Sequence, residues 1–396
     1  MTGIPADNAV STVIVGGGII GATTFWELAR RGEEVALFES RTYGQESTGK
    51  SAAIVRMHYS NAETIRMALH GRRALIDLPE LLGCEPVYHR TGWVFLIGED
   101  SAETAAANRE LQIREGSPSD EIRLDDLERL IPGVSTEGIA YVLYEEDSGF
   151  ADPLATTRAY IDAGIREGGS AREGAAVERI EVENGAVAGV VVDGERVPCK
   201  KVVLAAGAWS KELAAPLGVH LPIEITREQD VIYDTDGTPP VPLAVSAQAD
   251  RVYLRPLPER HESSMLVGRG FPKEYEYVDP NSYDDEVDAS FEADVRERVL
   301  RRVPRFAGMR MVGSRVGLYS VPPDWHPLLG RVGEVEGLIL GTGGSGHAFK
   351  LGPAIGEMLA GELAGTPVDY ADVDRFALSR FERGMSFVST FGGNRA

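Results

Sequence analysis

Residues 11–15 (STVIV) form a short β-branched run that reads as a buried strand, and a glycine cluster, GGGIIG at 16–21, ends it. In the following ATTFWELARRG, Phe25, Leu28 and Ala29 fall on one face at helical spacing, and Gly32 stands where a helix C-cap belongs. EVALFES at 34–40 is the next buried run. Residues 11–40 therefore predict a strand–helix–strand unit with a right-handed crossover. The same order returns near the other end, where GLILGTGGSGHAFKLGPAIGEMLAGEL at 337–363 reads as buried strand, glycine-rich turn and helix.

The middle of the chain follows a different rule. Residues 177–210 alternate short apolar runs with Asn184-Gly185 and Asp193-Gly194, the dipeptides of type I′ hairpins, and predict an antiparallel meander leading into the buried strand KVVLAAG. Pro153–Glu167 predicts a helix, with Asp152 as N-cap and Pro153 at the first helical position. Residues 221–320 predict a second antiparallel sheet, including VYLRP at 252–256 and SMLVG at 264–268. Its one helix spans 289–302: Phe291, Val295 and Val299 recur every fourth position, arginines gather late, and Pro304 stops it. The acidic stretch 274–288 reads as a solvated loop.

Composition narrows the partners. With 61 Asp+Glu against 40 Lys+Arg over 396 residues, the net charge is −21. That repels phosphates and argues against nucleic acid or an anionic membrane as a main partner. No run approaches the roughly 18 apolar residues of a membrane-spanning helix, and MTGIPADNAV lacks the basic and apolar regions of a signal peptide. Two cysteines, Cys84 and Cys199, build neither a disulfide framework nor a four-ligand zinc site, and the histidines show no metal-binding spacing, so no metal is expected. A cytoplasmic location fits these features.

Gly16-x-Gly18-x-x-Gly21 gains meaning from its context: it follows a strand, opens a helix, and Glu39 ends the next strand. That is a dinucleotide fingerprint, with Gly16 for the tight turn, Gly18 for approach to a pyrophosphate, Gly21 for helix–strand packing and Glu39 for ribose hydroxyls. A ligand-free glycine turn is the plainer reading and explains less of that context. Gly44-Gln-Glu-Ser-Thr-Gly49-Lys50-Ser51 formally matches a P-loop, with GVVVD at 189–193 as a Walker-B-like partner, so an NTPase using Lys50 is a rival. Its strand ends too early, AAIVRMHYS lacks a helical start, and Asp193 sits in a hairpin turn. The fingerprint alone admits NAD or FAD. The second glycine turn, Gly343-Gly344-Ser345-Gly346, puts backbone N–H groups and a positive helix end where a reduced flavin carries negative charge, which favours FAD. A simple capping helix is the alternative.

The ordered set VIVGGGIIG…LFE, STGKSAAIVRMHYS, DSGFADP, VVLAAGAWS, VYLRP and GTGGSGHAFKLGP resembles the D-amino-acid-oxidase-like FAD amine oxidoreductases, nearest the flavin subunit branch of the sarcosine oxidases. The resemblance implies an α/β protein: a Rossmann-like FAD-binding domain assembled from discontinuous segments (1–85, 145–220 and 321–396), and an α+β substrate domain with a large mixed or antiparallel sheet (86–144 and 221–320). It implies oxidation of the C–N bond of a small secondary or N-methyl amino acid, by hydride transfer to flavin N5, giving an imine that hydrolyses. Oxygen or another acceptor then takes the electrons. Glycine, proline or D-amino acids are alternative substrates, a non-catalytic flavin-binding role is a further alternative, and a homo-oligomer or partner subunits stay open.

Residue by residue, the family's carboxylate-binding Arg and Lys fall on Arg56 and Lys350. Tyr253 matches a substrate-contacting tyrosine of glycine oxidases, and Tyr319 stands where those enzymes carry a carboxylate-binding Arg. The resemblance assigns the cofactor to Gly16, Gly18, Ile19, Ile20, Gly21, Glu39, Ser40, Arg41, Ser47, Lys50, Ser51, Val177, Ala206, Gly207, Trp209, Gly344, Ser345, Gly346, His347 and Lys350. The family's flavin-tethering cysteine falls at Gly317 or its neighbour, which implies non-covalent FAD, and its oxygen-activating lysine falls at Leu266.

Overall fold

A computed structural model describes residues 10–389. The leader reading at residues 1–9 lies outside them. The strand Val10–Val15 pairs in parallel with Val35–Phe38 on one side and Glu195–Leu204 on the other. Ser170–Arg172 and Leu338–Thr342 extend the two flanks in parallel, and Leu328–Arg331 closes one edge antiparallel. Both predicted hairpins form: Asn184 and Gly185 have φ of 51° and 82°, Asp193 and Gly194 of 52° and 78°. These are the two left-handed positions that a type I′ turn demands.

The helix Ile19–Ala29 ends in the predicted glycine. Glu33 N–H donates to Leu28 O at 3.1 Å and Gly32 N–H to Ala29 O at 2.9 Å, a Schellman pair around Gly32 at φ 78°. All of its residues are buried, beyond the single apolar face the sequence predicts. The helix is central: Ala348–Ala364 and Pro153–Arg166 pack against it, and Ala62–Ile76 packs against Ala348–Ala364. The Asp152 carboxylate caps Pro153–Arg166 through the N–H groups of Leu154 and Ala155.

A second sheet has nine strands. Trp93–Ile97 lies parallel to Ala244–Ala247, while the other pairings are antiparallel, so the sheet is mixed. The longest pair is Glu224–Asp234 against Arg310–Val321. Alternation divides the faces. Met265 and Val267 pack with Phe291, Val295 and Val299 of the predicted helix Ala289–Arg302, while Leu266 and Tyr253 face away. The acidic stretch 274–288 is more than a solvated loop. Glu276–Tyr277 pairs with the sheet, and the stretch wraps Arg227, whose guanidinium donates to Glu276 at 2.9 Å, Asp288 at 3.1 Å and the Asp284 carbonyl at 2.6 Å. Among the described residues, no helix is long and apolar enough to cross a membrane.

Candidate active site

The glycine cluster follows from close packing. A Cβ on Gly21 would stand 1.9 Å from the Gly16 carbonyl oxygen, so helix and turn approach only without a side chain there. Gly16, at φ 108°, would meet the Ala205 carbonyl at 2.5 Å. Beside this turn lies a cavity of about 550 Å³, lined by Gly16, Gly18, Glu39, Ser40, Arg41, Ser47, Val177, Ala206, Gly207 and Trp209 among others. Glu39 closes its strand end, accepting from Gly17 N–H at 2.7 Å and Arg41 N–H at 2.8 Å. Thr48, which the sequence reading missed, accepts from Ile19 N–H at 3.1 Å and caps the helix.

A smaller cavity of about 90 Å³ continues this trough. Gly18, Ser47, Thr48 and Gly207 line both. Its other walls include Ile19, Ile20, Ser51, Gly344, Ser345 and Gly346. The N-termini of Ile19–Ala29 and Ala348–Ala364 thus meet at one space. Two positive helix ends and a left-handed turn (Ser345 φ 47°, Gly346 φ 76°) converge there.

Ser51, Tyr319, Gly346 and Phe349 join this space to a third cavity, of about 150 Å³. Arg56, Lys350, Tyr253, Tyr319 and His347 all line it. The rest of the wall is largely aromatic or aliphatic, including Trp93, Phe95 and Phe271. The Arg56 guanidinium lies 4.7 Å from the Tyr59 ring centroid and 5.8 Å from that of Trp93. Lys350 Nζ lies 5.9 Å from the same Tyr59 ring, and its side chain is buried. The Tyr59 ring is thus shared by two cations, both within cation–π reach of it. Among the described residues, no carboxylate lines this cavity. Such a wall is chemically suited to an anion carrying a small apolar body.

Charges behind the wall are displaced from their ordinary values. Tyr253 Oη donates to Asp230 Oδ1 at 2.6 Å, and burial pushes the Asp230 carboxyl up to about 6, although Tyr253 and Arg315 favour its charged form. Burial, helped by Arg56, pushes His58 down to about 3. Glu145, wholly buried, is pushed up by desolvation despite hydrogen bonds from Ser148, Met57 and Gln112.

Of the residues assigned from the sequence, Gly21 and Lys50 lie outside the three cavities. Gly21 acts through packing. Lys50 Nζ pairs with Glu46 at 3.0 Å and lies 3.5 Å from Tyr283 Oη. No helix follows Ser51, since the chain runs into the strand Ile54–Val55, and Asp193 pairs with Arg172 in its hairpin turn. The P-loop reading at Lys50 is thereby corrected: a P-loop needs its lysine at a helix start. Leu266 is fully buried with Ile232 and Leu257, and Ala52 and Tyr253 pack over it. Tyr59, Trp93, Phe95 and Phe271 escaped the sequence reading; Tyr59, three positions after Arg56, carried the only local signal.

Residues 11–362 match the family described as DAO, FAD dependent oxidoreductase. The chain is 28% identical to a 4-methylaminobutanoate oxidase (formaldehyde-forming) of Paenarthrobacter nicotinovorans, over 94% of this chain and 46% of that protein, so it spans about half of that relative. It is 27% identical to a glycine oxidase of Pseudomonas aeruginosa, over 92% of this chain and 98% of that one. Among solved structures, the L-proline dehydrogenase of P. horikoshii superposes with a TM-score of 0.87 at 26% identity, covering 95% of this chain and 99% of the other.

Proposed function

Because the chain belongs to the DAO family of FAD-dependent oxidoreductases, we propose that it oxidises the C–N bond of a small secondary or N-methylated amino acid. One observation carries this reading: Arg56 and Lys350 share the wall of an aromatic cavity that opens onto the glycine-lined trough. The residues present fit FAD. Glu39 suits the ribose, the Gly16–Gly21 turn gives the pyrophosphate the backbone space that a Cβ would fill, and the Gly344–Gly346 turn offers N–H groups to the ring edge. When bound, the flavin supplies a two-electron acceptor.

The chain's own contribution is placement. Arg56 grips a carboxylate with a planar fork and Lys350, which shares the Tyr59 ring with it, adds a point charge. The aromatic wall excludes water and disfavours a charged ammonium, so the amine binds in its neutral form, the one that releases hydride readily. A relative named for forming formaldehyde supports an N-methyl donor. Segments 10–85, 145–220 and 321–389 contribute the trough, and 86–144 and 221–320 most of the large sheet, which supports the two-domain division as part of this proposal. Leu266, with no charge to offer, favours a dehydrogenase using an acceptor other than oxygen.

The test is anaerobic. The purified protein should be yellow, and one of a panel of N-methyl amino acids, proline, glycine and D-amino acids should bleach it. Reoxidation by air against an artificial acceptor separates oxidase from dehydrogenase. A yellow protein that no amine bleaches would defeat the proposal.

A further inference from the structure

The cavity explains Arg56 only in part. Its guanidinium hydrogen-bonds to the His58 carbonyl and, among the described residues, forms no ion pair. Something must fix the turn that carries it and offset its charge without occupying the fork. Glu145, at the end of the strand Tyr141–Glu145 and 1% exposed, is placed to do both. One oxygen accepts from Met57 N–H at 2.9 Å and from Ser148 Oγ at 2.6 Å, and the other accepts from Gln112 Nε2 at 2.6 Å. Met57 is the residue after Arg56. Glu145 is also the sheet partner of Trp93, whose ring flanks the guanidinium. The Arg56 charge in turn favours the ionised carboxylate.

A buried carboxylate costs several kcal/mol of desolvation, roughly, and apolar residues of similar volume fill such space at less cost. The group is therefore retained for something packing does not supply. We propose that Glu145 is a positioning residue for the anion site: through the Met57 amide and the Trp93 strand it aims the Arg56 fork into the cavity, and it balances the Arg56 charge from behind. Gln112 and Ser148 hold Glu145 in turn. This rests on the reading of Arg56 as the carboxylate ligand.

The experiment measures acetate binding to the FAD-loaded enzyme through the change in flavin absorbance. Variants are Glu145→Gln, Arg56→Ala and the double variant, with Ser148→Ala and Gln112→Met as milder perturbations should Glu145→Gln fold poorly. Glu145→Gln weakens acetate about fivefold to tenfold, matching a coupling of roughly 1 kcal/mol between neighbours. It raises KM by a similar factor with kcat nearly unchanged, leaves FAD content intact, and adds nothing in the Arg56→Ala background. Ser148→Ala and Gln112→Met shift acetate affinity in the same direction. A purely structural role would not vanish in the Arg56→Ala background. Equal weakening in both backgrounds, or none in any of the three supporting variants, overturns the positioning role and leaves the carboxylate reading standing. Acetate affinity untouched by Arg56→Ala, or no acetate binding at all, overturns the carboxylate reading and this inference with it.

Discussion

His58 makes the protein sensitive to mild acid in a way that can be calculated. Its ring is fully buried, in contact with Phe95 at 5.4 Å between centroids. The Gln112 amide, whose Nε2 donates to Glu145, presents Oε1 to His58 Nδ1 at 3.3 Å, a contact that opposes but does not outweigh the effect of burial. Burial first, and the Arg56 charge second, lower its pKa from 6.5 to about 3. The unfolded chain binds a proton near 6.5, and the folded one does not until far lower. Between those values the unfolded state holds more protons, so stability is full above 6.5 and falls as pH drops. Integrated from pH 7 to pH 5, the loss is about 2 kcal/mol, and it reaches about 4 kcal/mol by pH 3. Urea unfolding at pH 5, 6 and 7, followed by tryptophan fluorescence, measures it. His58→Gln removes the titrating ring and leaves every other ionisable group in place. Its stability should therefore fall by about 2 kcal/mol less than wild type over the same interval. Identical losses in the two proteins would refute the reasoning.

Lys350→Ala and Arg56→Ala should each raise KM about tenfold to a hundredfold, the worth of one charge-assisted hydrogen bond, with the visible spectrum showing FAD retained. Gly21→Ala sets a methyl group against the Gly16 carbonyl; loss of about 1–3 kcal/mol and weakened FAD retention on gel filtration are expected. Gly71→Ala would place its Cβ 1.9 Å from the Lys350 carbonyl, so the helix carrying that lysine must shift, and KM should rise together with a lowered melting temperature. Asp230 works against His58: its folded pKa is raised from 3.8 to about 6. The folded state then holds the extra proton, and stability falls by about 2 kcal/mol as pH rises from 4 to 6. Asp230→Asn should flatten that fall in urea titrations across the same range.

The legible parts of the chain were those where geometry leaves no choice of residue. A strand meeting a helix tolerates no side chain at Gly16 or Gly21, and type I′ turns favour Asn-Gly or Asp-Gly, so both could be read directly. The meeting of Arg56, Tyr253, Tyr319 and Lys350 in one wall is not encoded in any periodicity, and only the family resemblance brought them together. Residues 54–150 stayed opaque for physical reasons. Trp93–Ile97 is buried on both faces and shows no alternation, while Glu99–Arg114 buries only Ala105, Asn108 and Gln112, too few for an apolar stripe. Lys50 shows the converse: a motif matches letter by letter, yet the helix it requires is absent.

The complete burial of the helix Ile19–Ala29 has a consequence during synthesis. Its cover includes Ala348–Ala364, which leaves the ribosome only when most of the chain is already outside. Until then one side of an apolar rod lacks its cover and the nucleotide trough lacks one wall. A complete flavin trough therefore waits for the emergence of Ala348–Ala364, whatever has already folded before it.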